Sequence, residues 1–487
     1  MTTSIERNIA KSVSWFGLFK LGSQAFSWVV TIAVAKILMP EDYGLMAMSS
    51  ILTGYAEMFN ELGLANAIIQ KKDVTQRDIS SVFWFSVGVS LVLAASCFPL
   101  AHLTAFIMHD PRVIPLTMTA SVIFLTNGLQ IIPMALIKRD LGFKKLGGIE
   151  LFSTIFSCAV MYVLARTGVG VWTLILGRIA RSVICLFLVY WRLRWFPALH
   201  FQFSEAKAYL RFGIIIALGR SLFYLWEKSD RFFAGRVWTS QLLGYYTFAL
   251  QLAQLPTEKI VNLINQVSFP ALARVQGSVQ EFNRLYLNIT KVTALLVLPM
   301  FLMGFFLGDS LIRNLLNEKW FSTIPLFRYL CLSQIFLAMN AINNQVHTAQ
   351  GRPGLSLLFN FLNAIVMPVS FFVAVPYGLH AMIFPWLGTY TLVCIGWTLM
   401  TIRFLGIPLL AYCQALSAPV LASATMSLVV CGASWSMCRN FSLQGSMSQL
   451  LITVASGLFA YWLHLWLFNR SLLANIRGIL SPTTERT

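Results

Sequence analysis

The chain has 487 residues, of which 57% are hydrophobic and 11% are charged, and its mean hydropathy is +0.71. Soluble domains average about 25% charged residues, so this composition excludes a water-soluble enzyme, a disordered chain and a secreted disulfide scaffold. It predicts an all-α integral membrane protein. The formal net charge of +18 is therefore interpreted by its position along the membrane normal, and not as a surface for nucleic acid.

Apolar stretches of spanning length predict about 14 transmembrane helices. In chain order they are Ser12–Ala35, Leu45–Leu62, Ser80–Leu100, Val113–Leu136, Gly147–Leu164, Gly170–Trp191, Phe212–Phe232, Leu242–Val267, Tyr286–Leu307, Ile324–His347, Leu355–Val375, Gly378–Ile402, Ala415–Met437 and Leu450–Phe468. The connections between them are short and rich in Gly, Pro, Asp and Asn. They leave no room for an enzyme domain outside the membrane.

The distribution of Lys and Arg among the loops predicts the orientation of the chain. The N-terminus and alternate loops hold more than twice as many cations as the opposite side, which holds Lys36, Arg112, Arg166 and Arg236 among others. Because cytoplasmic loops carry the excess of Lys and Arg, both termini are expected in the cytoplasm. That arrangement requires an even number of spans.

A shift of about 200 residues aligns the first part of the chain with the second. Tyr43-Gly44-Leu45 then falls on Leu243-Gly244-Tyr245, and Lys20 falls on Arg220. Parallel repeats of this kind are typical of transporters with a substrate site between the halves. The repeat predicts two six-helix lobes, residues 1–205 and 206–405, followed by two extra helices and a cytoplasmic tail in residues 406–487.

Ionisable residues inside apolar spans are the candidate site residues, because each costs about 2.5–3.5 kcal/mol at a helix centre. Lys20 and Arg220 occupy equivalent positions deep in their spans, with no acidic residue within one helical turn in the sequence. We expect them to line a water-filled cavity and to bind an anionic substrate that carries phosphate. Four more cations are candidates for the same role or for structural ion pairs: Arg178, Arg181, Lys228 and Arg231.

The carboxylates inside the spans are candidates for an ion-coupling or proton site, and they are Glu57, Glu227 and Asp230. Alternatively, Glu57 is a partner for Lys20, and Glu227–Arg231 and Glu258–Lys259 are structural ion pairs. On a continuous seventh helix, Arg220, Tyr224, Glu227 and Arg231 would share one face. Tyr224, Trp226, Tyr245 and Tyr246 are weaker candidates for stacking on a sugar.

Motifs of soluble enzyme chemistry are absent from the sequence. It contains no P-loop, no H-E-x-x-H and no G-x-S-x-G. We therefore predict a protein that is not an enzyme, with no catalytic residues, no cofactor and no metal. ATP hydrolysis by this chain cannot drive transport.

Seven short segments resemble landmarks of one transporter family. They are Glu61-Leu-Gly-Leu-Ala-Asn-Ala-Ile-Ile-Gln-Lys-Lys-Asp73, Ser81-Val-Phe-Trp84, Pro40-Glu-Asp-Tyr-Gly44, Gly168-Val-Gly-Val-Trp172 with Gly177, Phe269-Pro-Ala-Leu-Ala-Arg274, Glu318-Lys-Trp320 and Ala349-Gln-Gly-Arg352. In their order along the chain they are similar to Wzx-type polysaccharide flippases of the MOP superfamily, closest to the colanic acid exporter subgroup. The resemblance covers residues 5 to 405; the last two helices match only in hydropathy.

This resemblance implies a function in polysaccharide export. Such proteins move undecaprenyl-pyrophosphate-linked oligosaccharide across the bacterial inner membrane by alternating access, for exopolysaccharide or lipopolysaccharide biosynthesis. A polymerase and a chain-length regulator of the same pathway are implied as partners. The alternatives are a cation-coupled multidrug exporter of the same superfamily and a membrane glycan polymerase.

Overall fold

The computed structural model describes residues 2–61, 64–71, 74–203, 220–440 and 447–468. These residues form helices, turns and short connections, with no strand among them. Contacts divide the chain into two compact units, unit 1 (Met1–Thr247) and unit 2 (Phe248–Thr487). The predicted all-α fold is confirmed.

Unit 1 is built from long helices joined by short turns. They are α1 (Thr2–Ile37), α2 (Pro40–Glu61), α3 (Leu64–Gln70), α4 (Gln76–Met108), α5 (Val113–Thr119), α6 (Ser121–Arg139), α7 (Phe143–Arg166), α8 (Trp172–Leu193), a helical stretch at 220–227, α9 (Ser229–Val237) and the start of α10 (Ser240–Arg274). Thr75 begins α4 with a capping box, in which its hydroxyl accepts from the Asp78 amide while the Asp78 carboxylate accepts from the Thr75 amide. His109 ends α4 in a left-handed conformation.

Unit 2 continues with further long helices and four short turns. They are α11 (Val279–Leu315), α12 (Ile324–Ala349), α13 (Pro353–Ala374), α14 (Thr391–Phe404), α15 (Leu409–Asn440) and α16 (Met447–Phe468), with 3-10 turns at Glu318–Thr323, Val375–Tyr377 and Leu379–Met382 and a π-helical turn at Pro385–Tyr390. The last two helices, α15 and α16, pack together and against α11 through buried Leu307, Met426 and Leu450. The two C-terminal helices outside the predicted repeat are therefore part of unit 2.

Eleven helices of the described ranges are long and apolar enough to cross a membrane. The predicted multi-pass membrane protein is thereby supported, while the number 14 stays a prediction. Two of the other three predicted spans lie in helices α2 and α10, which carry more charged and amide residues, Glu57 and Asn60 among them. The third, Phe212–Phe232, falls largely on residues 204–219, which lie outside the described residues.

Two ends of unit 1 can be recognised from contacts at the opposite ends of α4, a helix of 33 residues and so about 50 Å long. At its C-terminal end, Arg112 reaches Glu41 and Ser240, so the turns after α1, α4 and α9 meet there. At its N-terminal end, Ser80 accepts from the Ala198 amide, in the segment after α8. The turn that holds Arg112 and the segment after α8 therefore lie at opposite ends of α4.

Candidate functional site

Glu57 on α2 lies at the centre of a polar group within unit 1. Its Oε2 lies 3.5 Å from the Nη2 of Arg178 on α8, and its Oε1 accepts from the Nδ2 of Asn127 on α6 at 3.2 Å. The side chains of Arg178 and Glu57 remain 45% and 39% exposed. At this distance and exposure the ion pair is weak, so Arg178 remains available to another anion.

Amides and hydroxyls extend this group into the unit. Gln130 donates to the Asn127 Oδ1 at 2.6 Å, and Ser182 donates to the same oxygen at 3.3 Å. Asn60, which is 1% exposed, donates to the Phe124 carbonyl and accepts from Ser90. Polar side chains inside a membrane bundle are stable only when they bond to one another or border water, and this network meets the first condition.

The predicted seventh helix is not continuous. It kinks at Lys228, between the helical stretch 220–227 and α9. The Asp230 carboxylate accepts from the backbone amide of Arg231 at 2.6 Å, and so satisfies one of the amides that the first turn of α9 leaves without a helical acceptor. The kink interrupts the helix on which a single face from Arg220 to Arg231 was expected, but the Arg231 guanidinium still interacts electrostatically with Glu227 and Tyr224.

The carboxylates near this kink both have partners. Glu227 accepts from the Lys228 ammonium at 2.8 Å, so its neighbour in the chain forms its ion pair. Asp230 is fully buried, and its second oxygen accepts from the Tyr246 hydroxyl at 2.7 Å. The Arg231 Nε is buried without a hydrogen-bond partner among the described residues.

Aromatic residues of this region pack inside the protein. Tyr224 is buried and donates to the Ile51 carbonyl at 2.8 Å, which fixes the stretch 220–227 against α2. Trp226 and Tyr246 are 2% and 0% exposed. Buried rings have no free face, so sugar stacking by Tyr224, Trp226 and Tyr246 is not supported; Tyr245 is half-buried.

The remaining sequence-predicted site residues lie at the surface of unit 1 or outside the described side chains. Lys20 is half-buried on α1, whereas Arg181 and Arg220 are exposed. The side chains of Glu258 and Lys259 lie outside the described residues, so that predicted pair stays a prediction. Among the predicted residues, the structure brings Glu57 to Arg178 and Glu227 to Lys228.

Four residues of the polar network were not predicted from the sequence: Asn60, Asn127, Gln130 and Ser182. The signal available was the spacing of Asn127 and Gln130 at i and i+3 in an apolar span, with Ser182 four residues after Arg178. Single polar residues in membrane helices are common, so this spacing alone does not distinguish a network from isolated side chains. Within the described residues, no three His, Cys, Asp or Glu side chains gather as a metal site would require.

A second polar group lies at the C-terminal end of α4, outside the spanning segments. Arg112 donates to Asp110 through Nε at 3.0 Å and Nη2 at 2.8 Å, and to Glu41 through Nη1 at 2.5 Å. Its Nη2 also reaches the Ser240 hydroxyl at 3.2 Å. These hydrogen bonds from Arg112 lower the pKa of the Asp110 carboxyl below its ordinary value.

Beside this group, α2 and α10 cross at two glycines. A Cβ built on Gly44 would collide with the Ser240 carbonyl, and one built on Gly244 would collide with the Pro40 carbonyl. The contact is therefore reciprocal, and its residues, 40 with 240 and 44 with 244, are those that the predicted repeat makes equivalent. Only glycine at both positions allows the backbones this close.

Comparisons with known proteins agree with these features. The family model described as "Polysaccharide biosynthesis protein" matches residues 33–325. The lipopolysaccharide biosynthesis protein WzxC of Escherichia coli is 26% identical over 75% of this chain and 76% of its own length. The teichuronic acid biosynthesis protein TuaB of Bacillus subtilis is 24% identical over 94% of this chain and 95% of its own.

Two solved structures share the fold. The lipid II flippase MurJ in an inward closed conformation aligns with a TM-score of 0.74 and 13% identity, over 94% of this chain and 99% of its own. A multidrug resistance MATE family transporter of the MOP superfamily, in an inward-facing conformation, aligns with a TM-score of 0.62 and 15% identity, over 79% and 94%. The predicted resemblance to Wzx-type polysaccharide flippases is confirmed by the family match and the curated relatives, and the two solved structures show the same fold.

Proposed function

Because this chain belongs to the polysaccharide biosynthesis protein family, we propose that it is a flippase for undecaprenyl-pyrophosphate-linked oligosaccharide. The cargo has a prenyl tail that stays in lipid and a charged, hydroxyl-rich head that does not. Moving the head requires a polar path through apolar helices. The role lies in exopolysaccharide or lipopolysaccharide biosynthesis.

The observation that supports this function most directly is the polar group around Glu57 and Arg178 inside the helices of unit 1. A chain that only anchored a partner in the membrane would have no reason to carry such a costly group. Arg178 lies 3.5 Å from Glu57 and its guanidinium is accessible. A pyrophosphate, with more negative charge than one carboxylate, competes for this guanidinium through bidentate hydrogen bonds.

The other predicted cations fall into two groups by exposure. Arg181 and Arg220 are exposed and Lys20 is half-buried, so these three are candidates for contact with the pyrophosphate. Lys228 is bonded to Glu227, and Arg231 is fixed beside buried Asp230, so both are better placed to hold the kink. This division supports Lys20, Arg220, Arg178 and Arg181 as the first residues to test.

Glu57 is our candidate for the coupling carboxylate. When pyrophosphate draws Arg178 away, Glu57 loses its cationic partner, and an unpaired carboxylate inside the membrane is costly unless a proton or a coupling ion replaces that partner. Proton binding and cargo binding would then support each other, as movement of both in the same direction requires. Glu227 and Asp230 keep their own partners in this scheme.

The proposed movement is alternating access between the lobes 1–205 and 206–405, in the bacterial inner membrane with both termini in the cytoplasm. The reciprocal contact of Gly44 and Gly244 supports an equivalence between these lobes. On this topology the Arg112 group lies on the periplasmic side. A polymerase and a chain-length regulator are the expected partners, since delivered units must be joined and their number limited.

Purified protein in vesicles with labelled undecaprenyl-pyrophosphate-linked oligosaccharide tests the function. We expect transbilayer movement of the label without any new glycosidic bond. Lys20→Ala and Arg220→Ala should slow it, while Arg166→Ala, which removes an exposed arginine at the end of α7, should not. New glycosidic bonds would indicate the polymerase, and export of a cationic dye without movement of cargo would indicate the drug exporter.

A proton gradient across the same vesicles tests the role of Glu57. A gradient that drives protons in the direction of cargo movement should accelerate the native protein and have no effect on Glu57→Gln. Acceleration of both proteins alike would exclude Glu57 as the coupling group.

A further inference from the structure

A cavity of about 200 Å³ opens into unit 1 between α2, α6 and α8. One wall is polar and is formed by Glu57, Asn127 and Gln130. Met134 and Ala135 lie on the same face of α6, one to two turns after Asn127 and Gln130, and make that end of the lining apolar. A cavity with a hydrogen-bonding end and an apolar end is suited to a ligand that has both polar and apolar surfaces.

The polar wall is held in place before any ligand binds. Asn127 donates to Glu57 at 3.2 Å and accepts from Gln130 at 2.6 Å, and Gln130 also reaches the Ser182 hydroxyl at 3.5 Å. These hydrogen bonds are made on one side of each side chain, and they hold that side chain in one rotamer. A preorganised wall loses little side-chain entropy when a ligand binds.

One buried acceptor of this wall has no partner within the described residues. It is the Gln130 Oε1, which is shielded from solvent, although the Gln130 amide nitrogen is bonded. A buried polar atom without a hydrogen bond is destabilising and is rare in native proteins. A small shift of the Gln130 side chain toward the cavity would bring this oxygen within reach of a donor on the ligand, which would satisfy it.

The charges around the cavity indicate whether its ligand is a cation or a neutral hydrogen-bond donor. Lys138 lies in the lining, and Arg178 lies beside Glu57. Arg181 and Glu150 also act on the Cys185 thiol in the lining, so three cations stand against two carboxylates. This excess of positive charge disfavours a metal ion, whereas amides and a carboxylate are well suited to hydroxyl groups. The cations suit a phosphate next to those hydroxyls.

We propose that this cavity binds one sugar ring of the cargo, with hydroxyl or acylamino groups donating to Gln130 and Glu57 and the apolar face of the ring against Met134 and Ala135. This inference rests on the proposed function and specifies which part of the cargo unit 1 recognises. The volume equals that of about seven water molecules and lies below the range of about 300–1,000 Å³ of drug-sized pockets. One ring fits, and a whole repeat unit does not.

Alkylation of Cys185 reports directly on occupancy, because this half-buried thiol lines the cavity. Protein in vesicles is treated with N-ethylmaleimide, and each cysteine is quantified by mass spectrometry. Undecaprenyl-pyrophosphate-linked oligosaccharide should slow alkylation of Cys185, and sugar-free undecaprenyl pyrophosphate should not. Exposed Cys413 and Cys431 serve as internal references whose rates should not change.

Two variants keep the test decisive. Gln130→Ala should weaken binding of the sugar-bearing lipid about 3- to 10-fold and leave binding of the sugar-free lipid unchanged. Gln280→Ala removes the same group from an exposed helix start and should change neither. Ala65→Met adds bulk to the lining without removing a polar group, and should reproduce the loss if Gln130→Ala fails to fold.

The outcomes separate this inference from the function on which it rests. Movement of cargo without protection of Cys185, or equal protection by the sugar-free lipid, would overturn the sugar site and leave the flippase intact. Absence of both movement and protection would overturn both.

Discussion

The crossing of α2 and α10 at Gly44 and Gly244 allows a sharp test by single methyl groups. In Gly44→Ala, the new Cβ would meet the carbonyl oxygen and carbon of Ser240 and, at 3.0 Å, the amide nitrogen of Gly244. All three are backbone atoms, so no side-chain rotation relieves the overlap. The two helices must separate, and the Arg112 group beside them must stretch.

The magnitude follows from two opposing effects. Overpacking of a tight contact costs about 1–3 kcal/mol, while replacing glycine by alanine within a helix returns up to about 1 kcal/mol. Gly88→Ala on α4 is the matched control, because nothing lies within 4 Å of a Cβ built there. Both variants share the helix-propensity gain, so the difference between them isolates the overpacking of about 1–3 kcal/mol.

Thermal unfolding in detergent measures this difference. A cooperative unit of 150–250 residues shifts by about 2–4 °C per kcal/mol, so the two variants should differ by roughly 2–12 °C. Gly44→Ala should melt below the native protein and Gly88→Ala at or above it. Gly244→Ala should resemble Gly44→Ala, and the double variant should lose less than the sum, since one separation of the helices relieves both overlaps.

Equal melting temperatures for Gly44→Ala and Gly88→Ala would refute the reasoning. A strictly additive double variant would show that the two glycines act at separate contacts.

Three further predictions follow from contacts in unit 1. The pKa of Asp110 is lowered by Arg112 from an ordinary value of 3.8, so its contribution to stability is complete above that value and is lost as the pH falls through the lowered pKa. The melting temperatures of the native protein and Arg112→Ala should therefore differ at pH 7 and converge below about pH 4, and a gap independent of pH would contradict this. Tyr224→Phe removes the hydrogen bond to Ile51 and should lower the free energy of unfolding by about 0.5–1.5 kcal/mol. Tyr245→Phe, at a half-buried ring bonded to exposed Gln241, should lower it less. Equal losses of stability would contradict the role of Tyr224 in fixing 220–227. Cysteines introduced at Arg166 and Gln202, in a background without accessible native thiols, should react with an impermeant maleimide from the outside and the inside of the cell respectively, and labelling of both from one side would reject the topology.

Sequence patterns were sufficient for the class of fold and for individual unusual residues. Hydropathy marked the spanning stretches, and the cost of a charge in lipid marked Glu57 and Arg178 separately as functional candidates. The repeat also aligns Gly44 with Gly244, the two glycines at which α2 and α10 cross. These features depend on one residue at a time or on a fixed spacing.

The sequence predictions were wrong where contacts between residues far apart in the chain determine the structure. The helix predicted to run to Phe232 kinks at Lys228, and Asp230, just after the kink, is held by the Tyr246 hydroxyl, 16 residues away. Tyr224, Trp226 and Tyr246, the sequence-predicted candidates for stacking on a sugar, are buried for a similar reason, because other helices pack over them. A periodic pattern contains no information about which neighbour will cover a given face.

The sequence by itself determined that this protein is helical, spans a membrane and carries charges where lipid would exclude them. Those properties follow from composition and from the spacing of residues along the chain, and neither depends on which helices pack together. Only the tertiary structure decided that Glu57 meets Arg178, 121 residues later, and that Asn127 and Gln130 form one wall of a cavity. Such pairings depend on how helices pack, and packing selects among many partners that are equivalent in the sequence.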